Sequence, residues 1–340
     1  MINGMSVPAL LGLKGMKKVN KKEYYKTDGT YRELTKDDLM AIYMQHPIFG
    51  GYSHMFFNLE DKPLNAVSYG SLLTFCESQK STDNLQSAVE GFNYLVKQVE
   101  SKNAWLIDRM YPEKEIRKNP AKAHLTGMFY QGDGTKPLAV VVPGGGFICN
   151  CTAYEGYPVA MRLHKLGYCV LVISYPIGKQ LGENEQEKQG QAAVKELVQT
   201  VKYLVEHESE LSIDMNNYAI FGFSAGGLMT TAYSFANYED CCHKNHLPRP
   251  KVIFPMYGLD WNIKVLPEDK GLAVFSIVGR DDEFGFANVE DKLPELEKVL
   301  GKENVSVRIV DGLGHGFGIG NETKVKNWLQ EAVIFWEAHR

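Results

Sequence analysis

The stretch YAIFGFSAGG, from Tyr218 to Gly227, joins an apolar run to a serine that is surrounded by glycines. Glycine inside regular structure is less stable than alanine by about 0.5–1 kcal/mol, so the glycines around Ser224 require a local reason. A flexible linker would supply one, but a linker would not follow the strand-like Tyr-Ala-Ile-Phe. The G-x-S-x-G pattern at a strand-to-helix junction is instead typical of a strained turn that holds up one nucleophilic side chain.

Short apolar runs alternate with helical patterns from about residue 123 onwards. The predicted strands are His124–Tyr130, Leu138–Val142, Tyr168–Ser174, Tyr218–Phe223, Val252–Met256, Ala273–Val278 and Val305–Val310. The predicted helices are Gly156–Leu166, Glu187–Glu206, Ala225–Ala236, Val289–Leu300 and Lys324–Ala338. This alternation is typical of β-α-β units. We therefore predict an α/β fold with a mostly parallel central sheet and helices on both faces.

The first part of the chain has a different, irregular and partly helical pattern. Five apolar residues recur there at helical spacing and predict one helix with a buried stripe: Leu85, Val89, Phe92, Val96 and Val99. We predict two parts, an N-terminal helical segment at residues 1–115 and an α/β domain at residues 116–340. The first part is expected to act as a cap or packing extension, because its helical stripe needs a surface that buries it.

Composition and charge exclude several classes of protein. A net charge of −4 gives no electrostatic reason to expect nucleic-acid or anionic-membrane binding. No apolar run approaches the roughly 20 residues that span a bilayer. Six cysteines in 340 residues do not form a disulfide framework, and with no recognisable signal peptide we expect a cytoplasmic protein. The sequence leaves open whether copies of the chain associate as a homo-oligomer.

A serine hydroxyl needs a base, and position in the chain indicates which histidine supplies it. His315 lies in DGLGHGFG, directly after the predicted strand VSVRIV, so it reaches the sheet edge where open α/β sheets bind ligands. Asp281 and Asp282 follow the predicted strand AVFSIV. We favour Asp282, three residues after Gly279, as the acid that orients the imidazole, and we keep Asp281 as the alternative. The resulting order, serine, acid and histidine, is the order expected for a triad on this fold.

A second glycine cluster, PGGGF at residues 143–147, follows the predicted strand LAVVV. Glycines let backbone N–H groups approach a ligand, so we expect Gly145, Gly146 and Ala225 to form an oxyanion hole. The cluster lacks the patterns G-x-x-x-x-G-K-[ST] and G-x-G-x-x-G of phosphate-binding loops. Six aromatic residues flank these loops: Phe147, Tyr154, Tyr257, Trp261, Phe284 and Phe317. From these we select Phe147, Tyr257 and Phe317 as candidate substrate-binding residues.

Together these motifs resemble the α/β-hydrolase fold, and within it the esterase and lipase group. That group includes hormone-sensitive-lipase-like carboxylesterases and acetyl-xylan or feruloyl esterase-like enzymes. VVPGGGF is similar to the oxyanion loop of the group, GFSAGG to its serine elbow, and VGRDDEFG and GLGHGFG to its acid and histidine loops. The resemblance covers roughly residues 123–340. It implies hydrolysis of small carboxylic esters through an acyl-serine intermediate, without a metal or organic cofactor.

Two departures from the group leave the substrate class open. The chain has SYPIGKQ at the end of the predicted strand Tyr168–Ser174, where members of the group often have a motif like D-Y-R-L. It has Leu228 after the glycines of the elbow, where related esterases often have histidine. An amidase or peptidase would use the same residues, and a non-catalytic ligand-binding protein of the same fold would usually lack one of them. CCHKNH, at residues 241–246, suggests zinc, but adjacent cysteines do not provide the usual ligand spacing, and we predict no metal site.

Overall fold

The computed structural model describes residues 18–52, 55, 82–178 and 186–340. Large parts of the predicted N-terminal segment, residues 1–17, 53–54 and 56–81, lie outside the described residues. So does the connector at residues 179–185.

An eight-stranded sheet forms the centre of the described structure. Its strands are β1 Ala104–Ile107, β2 Thr126–Tyr130, β3 Leu138–Val142, β4 Cys169–Ser174, β5 Ala219–Phe223, β6 Val252–Met256, β7 Ala273–Gly279 and β8 Val305–Val310. Their order across the sheet is β1-β2-β4-β3-β5-β6-β7-β8. β2 pairs antiparallel with β1 and β4, and the remaining neighbours pair in parallel. The predicted α/β fold is therefore confirmed, and all seven predicted strands are present.

The helices in the described ranges lie on both faces of this sheet. They are α1 Met40–Met44, α2 Thr82–Glu100, α3 Glu113–Lys118, α4 Tyr157–Lys165, α5 Gln186–Glu206, α6 Glu208–Leu211, α7 Ala225–Ser234, α8 Leu293–Leu300 and α9 Trp328–His339. The five helices predicted for the α/β region correspond to α4, α5, α7, α8 and α9. The predicted start of α8 was too early because a 3₁₀ helix, Phe286–Lys292, precedes it. A proline in the first turn of α8 is consistent with the observed start at Leu293, because the N–H groups of a first helical turn have no partner within the helix.

Alternate residues of the central strand β3 pack into separate cores on the two faces of the sheet. Val141 of β3 belongs to the core on the face covered by α2, α4 and α9, where Phe92 and Trp336 are buried. Val140 of the same strand belongs to the core under α5 and α7, which includes Leu197. Because strand side chains alternate between faces, a strand covered on both sides must be apolar throughout. This explains runs such as LAVVV.

The N-terminal segment contributes to the same sheet and core. β1, the four-residue run AWLI, pairs in register with β2 and was not predicted, because it is short and Trp105 faces solvent at the sheet edge. Phe92 of α2 is fully buried, with its ring 4.7 Å from that of Tyr43. The division into 1–115 and 116–340 remains a prediction. In the structure, α2 and β1 from the first part pack directly onto the second.

Gly91 of α2 provides a test of this packing. A Cβ at Gly91 would lie 2.7 Å from the backbone nitrogen of Pro158 in α4, so Gly91→Ala forces the two helices apart. We expect the free energy of unfolding, measured by urea denaturation, to fall by about 1–3 kcal/mol. A Cβ at Gly190 of α5 would meet only the Phe147 ring, at 3.4 Å. Gly190→Ala should therefore keep or raise stability through its better helix propensity. Equal effects of the two variants would contradict the close packing of α2 on α4.

Candidate active site

Ser224 lies at the turn between β5 and α7. Its backbone has φ 50° and ψ −119°, a conformation that residues with a Cβ rarely adopt. The glycines of the G-x-S-x-G pattern make this turn sterically feasible. A Cβ on Gly222 would lie 2.2 Å from Oγ1 of Thr230, and one on Gly226 would lie 2.1 Å from the carbonyl oxygen of Val142. The small residues thus let β5, α7 and β3 approach each other closely enough to hold Ser224 at the tip.

His315 and Asp282 form a hydrogen-bonded chain with Ser224. Nε2 of His315 lies 2.7 Å from Oγ of Ser224, and Nδ1 lies 2.7 Å from Oδ2 of Asp282. The other oxygen of Asp282 accepts a hydrogen bond of 2.9 Å from the N–H of Phe284. The Asp282 side chain is buried, whereas Asp281 is exposed. The structure therefore places Asp282 beside the imidazole, whereas the alternative, Asp281, is exposed to solvent.

The acid and histidine loops come together because their strands end at the same edge of the sheet. Asp282 follows β7 and His315 follows β8, and the two strands pair in parallel. A Cβ on Gly279, at the end of β7, would lie 1.8 Å from the carbonyl oxygen of Leu313. The histidine loop therefore packs against the start of the acid loop at a position where only glycine fits.

The loop after β3 brings the second glycine cluster against the serine. Gly145 has φ 125° and Gly146 has φ 60°, both in the region that favours glycine. A Cβ on Gly144 would lie 2.8 Å from the Cβ of Ser224, so the two turns are in contact. Ala225 is the first residue of α7 on the other side of the serine. The three predicted oxyanion donors thus belong to the two segments that border Ser224.

A buried carboxylate that sequence reasoning missed lies behind this loop. Glu155 is 2% exposed and belongs to a short π-helical turn, Thr152–Gly156. Its Oε2 accepts a hydrogen bond of 2.7 Å from the N–H of Gly144, and its Oε1 accepts one of 2.9 Å from the hydroxyl of Tyr257. Burial raises the pKa of Glu155 to about 7, although both hydrogen bonds act in the opposite direction. No sequence motif indicates Glu155, since a glutamate before a helix is usually solvated.

The three aromatic residues selected as substrate-binding candidates are buried. Tyr257 packs edge-on with its ring 5.0 Å from that of His315, and Phe317 lies behind it at 4.6 Å. Both side chains have no solvent exposure, so in this structure they support the histidine and do not line an open pocket. Phe147 is also buried, because its ring packs against α5 at Gly190.

Among the described residues, two exposed large apolar side chains belong to the site loops, Phe284 and Ile148. Phe284 is 60% exposed and follows the acid, and Ile148 is 69% exposed and follows the glycine loop. The Phe284 ring lies 4.6 Å from the His315 ring in an edge-to-face arrangement. We call Phe284 and Ile148 the apolar rim. Phe284 was among the six flanking aromatic residues, but sequence alone did not separate it from the buried ones.

Metal and membrane features are absent from the described part of the chain. No group of three or more His, Cys, Asp and Glu side chains there could hold a metal ion. Cys241 and Cys242, from the segment that suggested zinc, are buried free thiols. None of the described helices combines the length and the apolar character that crossing a membrane requires.

The fold and the arrangement around Ser224 define an α/β hydrolase. The family model described as BD-FAE, an α/β-hydrolase family, matches residues 129–289. This match contains the glycine loop, Ser224 and Asp282, and His315 lies beyond its end. The chain therefore carries an α/β-hydrolase domain that is similar to the BD-FAE family. No curated protein matches the sequence.

Three solved structures share this fold at low sequence identity. Carboxyl esterase 2 from the mycorrhizal fungus Tuber melanosporum is 17% identical, with a TM-score of 0.52 over 64% of this chain and 83% of that one. An acetyl ester-xyloside bifunctional hydrolase from Caldicellulosiruptor lactoaceticus is 19% identical, with a TM-score of 0.52 over 68% and 95%. A thermophilic esterase from Thermogutta terrifontis, with propionate bound, is 16% identical, with a TM-score of 0.51 over 62% and 88%. At such low identities, the structural similarity shows a common fold and nothing further.

The hydrogen-bonded chain can be tested with a fluorophosphonate, which reacts with serines activated by a base. We expect one label per chain at Ser224, detected by mass spectrometry of the intact and digested protein. Asp282→Asn should slow labelling by about 10³–10⁴-fold, because the imidazole loses the acceptor that selects its tautomer. Asp281→Asn is the matched control and should label at the wild-type rate. Labelling elsewhere, or equal effects of the two variants, would contradict this arrangement.

Proposed function

We propose that this chain is a serine carboxylesterase that hydrolyses small carboxylic esters through an acyl-serine intermediate. The observation that carries the proposal is the continuous hydrogen-bonded chain from Ser224 through His315 to Asp282, with both distances at 2.7 Å. The glycine loop adjoining Ser224 supports the proposal, because acyl transfer needs donors for a developing oxyanion. The names of the three solved structures, all esterases or ester hydrolases, agree with it.

In the first half-reaction, Ser224 Oγ attacks the carbonyl carbon of the ester while His315 Nε2 takes the hydroxyl proton. The carbonyl oxygen becomes an oxyanion, which accepts hydrogen bonds from the backbone N–H groups of Gly145, Gly146 and Ala225. Asp282 holds the imidazole in the correct tautomer and stabilises its positive form. The tetrahedral intermediate then collapses, the C–O bond to the alcohol breaks, and His315 gives its proton to the leaving oxygen.

In the second half-reaction, water replaces the alcohol. His315 takes a proton from the water, whose oxygen attacks the acyl-serine carbonyl, and the same N–H groups stabilise the second oxyanion. Collapse of this intermediate releases the carboxylic acid and returns the proton to Ser224. The reaction consumes one ester and one water and yields one acid and one alcohol. These steps require neither a metal nor an organic cofactor.

We further propose that the acyl group is acetyl or another short chain and that the alcohol is a sugar or an aryl alcohol. One solved structure is named for acetyl ester hydrolysis and another contains propionate, and both names point to short acyl groups in those proteins. The apolar rim favours an aryl alcohol, because the exposed Phe284 ring stands beside the imidazole that protonates the leaving oxygen. We place the reaction in the cytoplasm, where the five free cysteines of the described residues would remain reduced.

Purified protein should hydrolyse p-nitrophenyl esters, with kcat/KM highest for the acetyl to butyryl esters and falling as the chain lengthens. Ser224→Ala should remove the activity, because no nucleophile remains. A matched p-nitroanilide should react at least about 100-fold more slowly, since its nitrogen is the poorer leaving group. Faster turnover of the anilide would favour the amidase alternative. The absence of both Ser224 labelling and turnover of either substrate would favour a non-catalytic binding protein.

The role of the apolar rim is tested by Phe284→Ala. We expect kcat/KM for p-nitrophenyl acetate to fall about tenfold, because the variant loses ring contact worth about 1–1.5 kcal/mol with the aryl group. The value for ethyl acetate should stay within about twofold. Ile334→Ala is the control, because Ile334 is another exposed apolar residue, on α9 and outside the loops of the site. Equal losses for the aryl and ethyl esters would show that Phe284 acts on His315 and not on the alcohol.

A further inference from the structure

Three separate loops meet at Glu155, which has no part in the mechanism above. Its Oε2 holds the N–H of Gly144, the residue that precedes the predicted oxyanion donors. Its Oε1 holds the hydroxyl of Tyr257, which in turn accepts a hydrogen bond of 3.3 Å from the N–H of Gly318 in the histidine loop. The Tyr257 ring also packs against the imidazole of His315. One carboxylate therefore connects the glycine loop to the loop that carries the histidine.

We propose that Glu155 is a positioning residue for ester hydrolysis, whose ionised carboxylate holds the oxyanion loop and the histidine loop in their reactive arrangement. This inference rests on the proposed function. Glu155 would act through Gly144 and Tyr257 and would not touch the substrate. A side chain in a rigid, buried network is suited to this role, because oxyanion donors must be in place before charge develops.

The contacts of Gly144 show why the carboxylate matters for the donors. The N–H of Gly144 points to Glu155, so it is not available to an oxyanion, and the following residues, Gly145 and Gly146, remain to supply donors. Their positive φ angles turn the chain sharply at this point. Glycines impose little conformational preference of their own, so the path of the loop depends on its anchors. The carbonyl of Gly145 is anchored within the loop by the N–H groups of Ile148 and Cys149. The hydrogen bond between Gly144 and Glu155 anchors the loop to a side chain outside it, directly before the donors.

The ionised form is the one that suits both partners. The N–H of Gly144 and the hydroxyl of Tyr257 both donate, and an ionised carboxylate accepts at both oxygens. Protonation converts one oxygen into a donor, which weakens one of the two connections. Because burial raises the pKa of Glu155 to about 7, this loss occurs as the pH falls through neutrality. The predicted rate therefore falls on the acid side of pH 7 as Glu155 takes up a proton.

Other ionisable groups face Glu155, and the test must account for them. They lie on its own turn and loop, on the segment after β4, on the segment after β6 and on the histidine loop: Cys151, Tyr154, Tyr175, Tyr257 and His315. Burial raises the pKa of each of the three tyrosines well above 10, so they stay neutral over the range of the test. The pKa of Cys151 is likewise raised well above 9, with its hydrogen bond to Cys149 as the largest cause. The remaining member of this set is His315, the general base of the proposed mechanism.

The test compares Glu155→Gln and Glu155→Ala with the wild-type protein on p-nitrophenyl acetate between pH 5 and 9. Glu155→Ala removes both connections, and we expect kcat to fall about 100-fold with KM changed less than about threefold. Glu155→Gln keeps an acceptor for Gly144 but cannot titrate, so kcat at pH 8 should fall less than about tenfold. The acid limb of the pH–rate profile of Glu155→Gln should depend on one protonation. The acid limb of the wild-type profile should be steeper, approaching a dependence on two protonations. A wild-type limb of first order, unchanged in Glu155→Gln, would overturn the proposal.

Glu196 provides the matched control. It is a second buried glutamate, on α5, and burial raises its pKa to about 7 as well, but its hydrogen bond is to Tyr111, outside the loops of the site. Glu196→Gln should keep the wild-type kcat and pH profile. If it changes the acid limb as Glu155→Gln does, the second proton reports on the stability of the fold and the proposal is wrong. Thermal melting of each variant at pH 6 and pH 8 separates loss of fold from loss of rate.

The outcomes also separate this inference from the proposed function. If the wild-type protein neither hydrolyses esters nor reacts with fluorophosphonate at Ser224, the proposed function fails. If the wild-type protein is active and both Glu155 variants match it, the proposed function stands and the positioning role is wrong. Tyr257→Phe supplies an independent check, because it removes the hydroxyl that donates a hydrogen bond to Glu155. Its effect on kcat should be less than additive with that of Glu155→Gln, since both interrupt one connection.

Discussion

The strained backbone of Ser224 is the constraint on which the rest of the site depends. A residue with a Cβ holds φ 50° and ψ −119° only where the surrounding structure enforces it. Here the enforcement is steric, since Gly222, Gly226 and Gly144 each lie where a Cβ would overlap neighbouring atoms. Three backbone segments are thereby packed closer than side chains would permit. This close packing holds the serine at the tip of the turn between β5 and α7.

The parallel sheet brings the other residues of the site to the strained serine. Strands β3, β5, β7 and β8 all end at one edge, so the loops that follow them meet although they are far apart in sequence. Direct contacts between loops then refine the arrangement, such as the approach of Gly279 to the histidine loop. Beneath them, Glu155 and Tyr257 form a buried polar connection in which each hydrogen-bonding group has a partner. A buried network that is satisfied in this way favours one arrangement of the loops over others.

Two described elements before β2, the strand β1 and the helix α2, pack with the sheet that follows them. β1 extends the sheet by one antiparallel strand, and α2 covers the same face as α4 and α9. At Gly91 the contact between α2 and α4 is a contact between backbones. The apolar stripe predicted for α2 could be read from its spacing, but its binding surface could not, because that surface is assembled from distant parts of the chain. β1 was not predicted, because an edge strand of four residues is too short to show a clear alternation of apolar and polar residues.

Local pattern was sufficient for the elements of the α/β region and for the residues of the hydrogen-bonded chain. Strands buried on both faces must be apolar throughout, and a strained turn must be flanked by glycine. Both features can therefore be recognised in the amino-acid sequence. These sequence patterns and the order of the predicted strands led to Ser224, to His315 and to the preference for Asp282 over Asp281. The structure alone revealed that Glu155 lies behind the glycine loop, that Tyr257 and Phe317 are buried and that Phe284 is exposed. Burial and hydrogen-bond partners are properties of the three-dimensional neighbourhood, and segments distant in the sequence supply that neighbourhood.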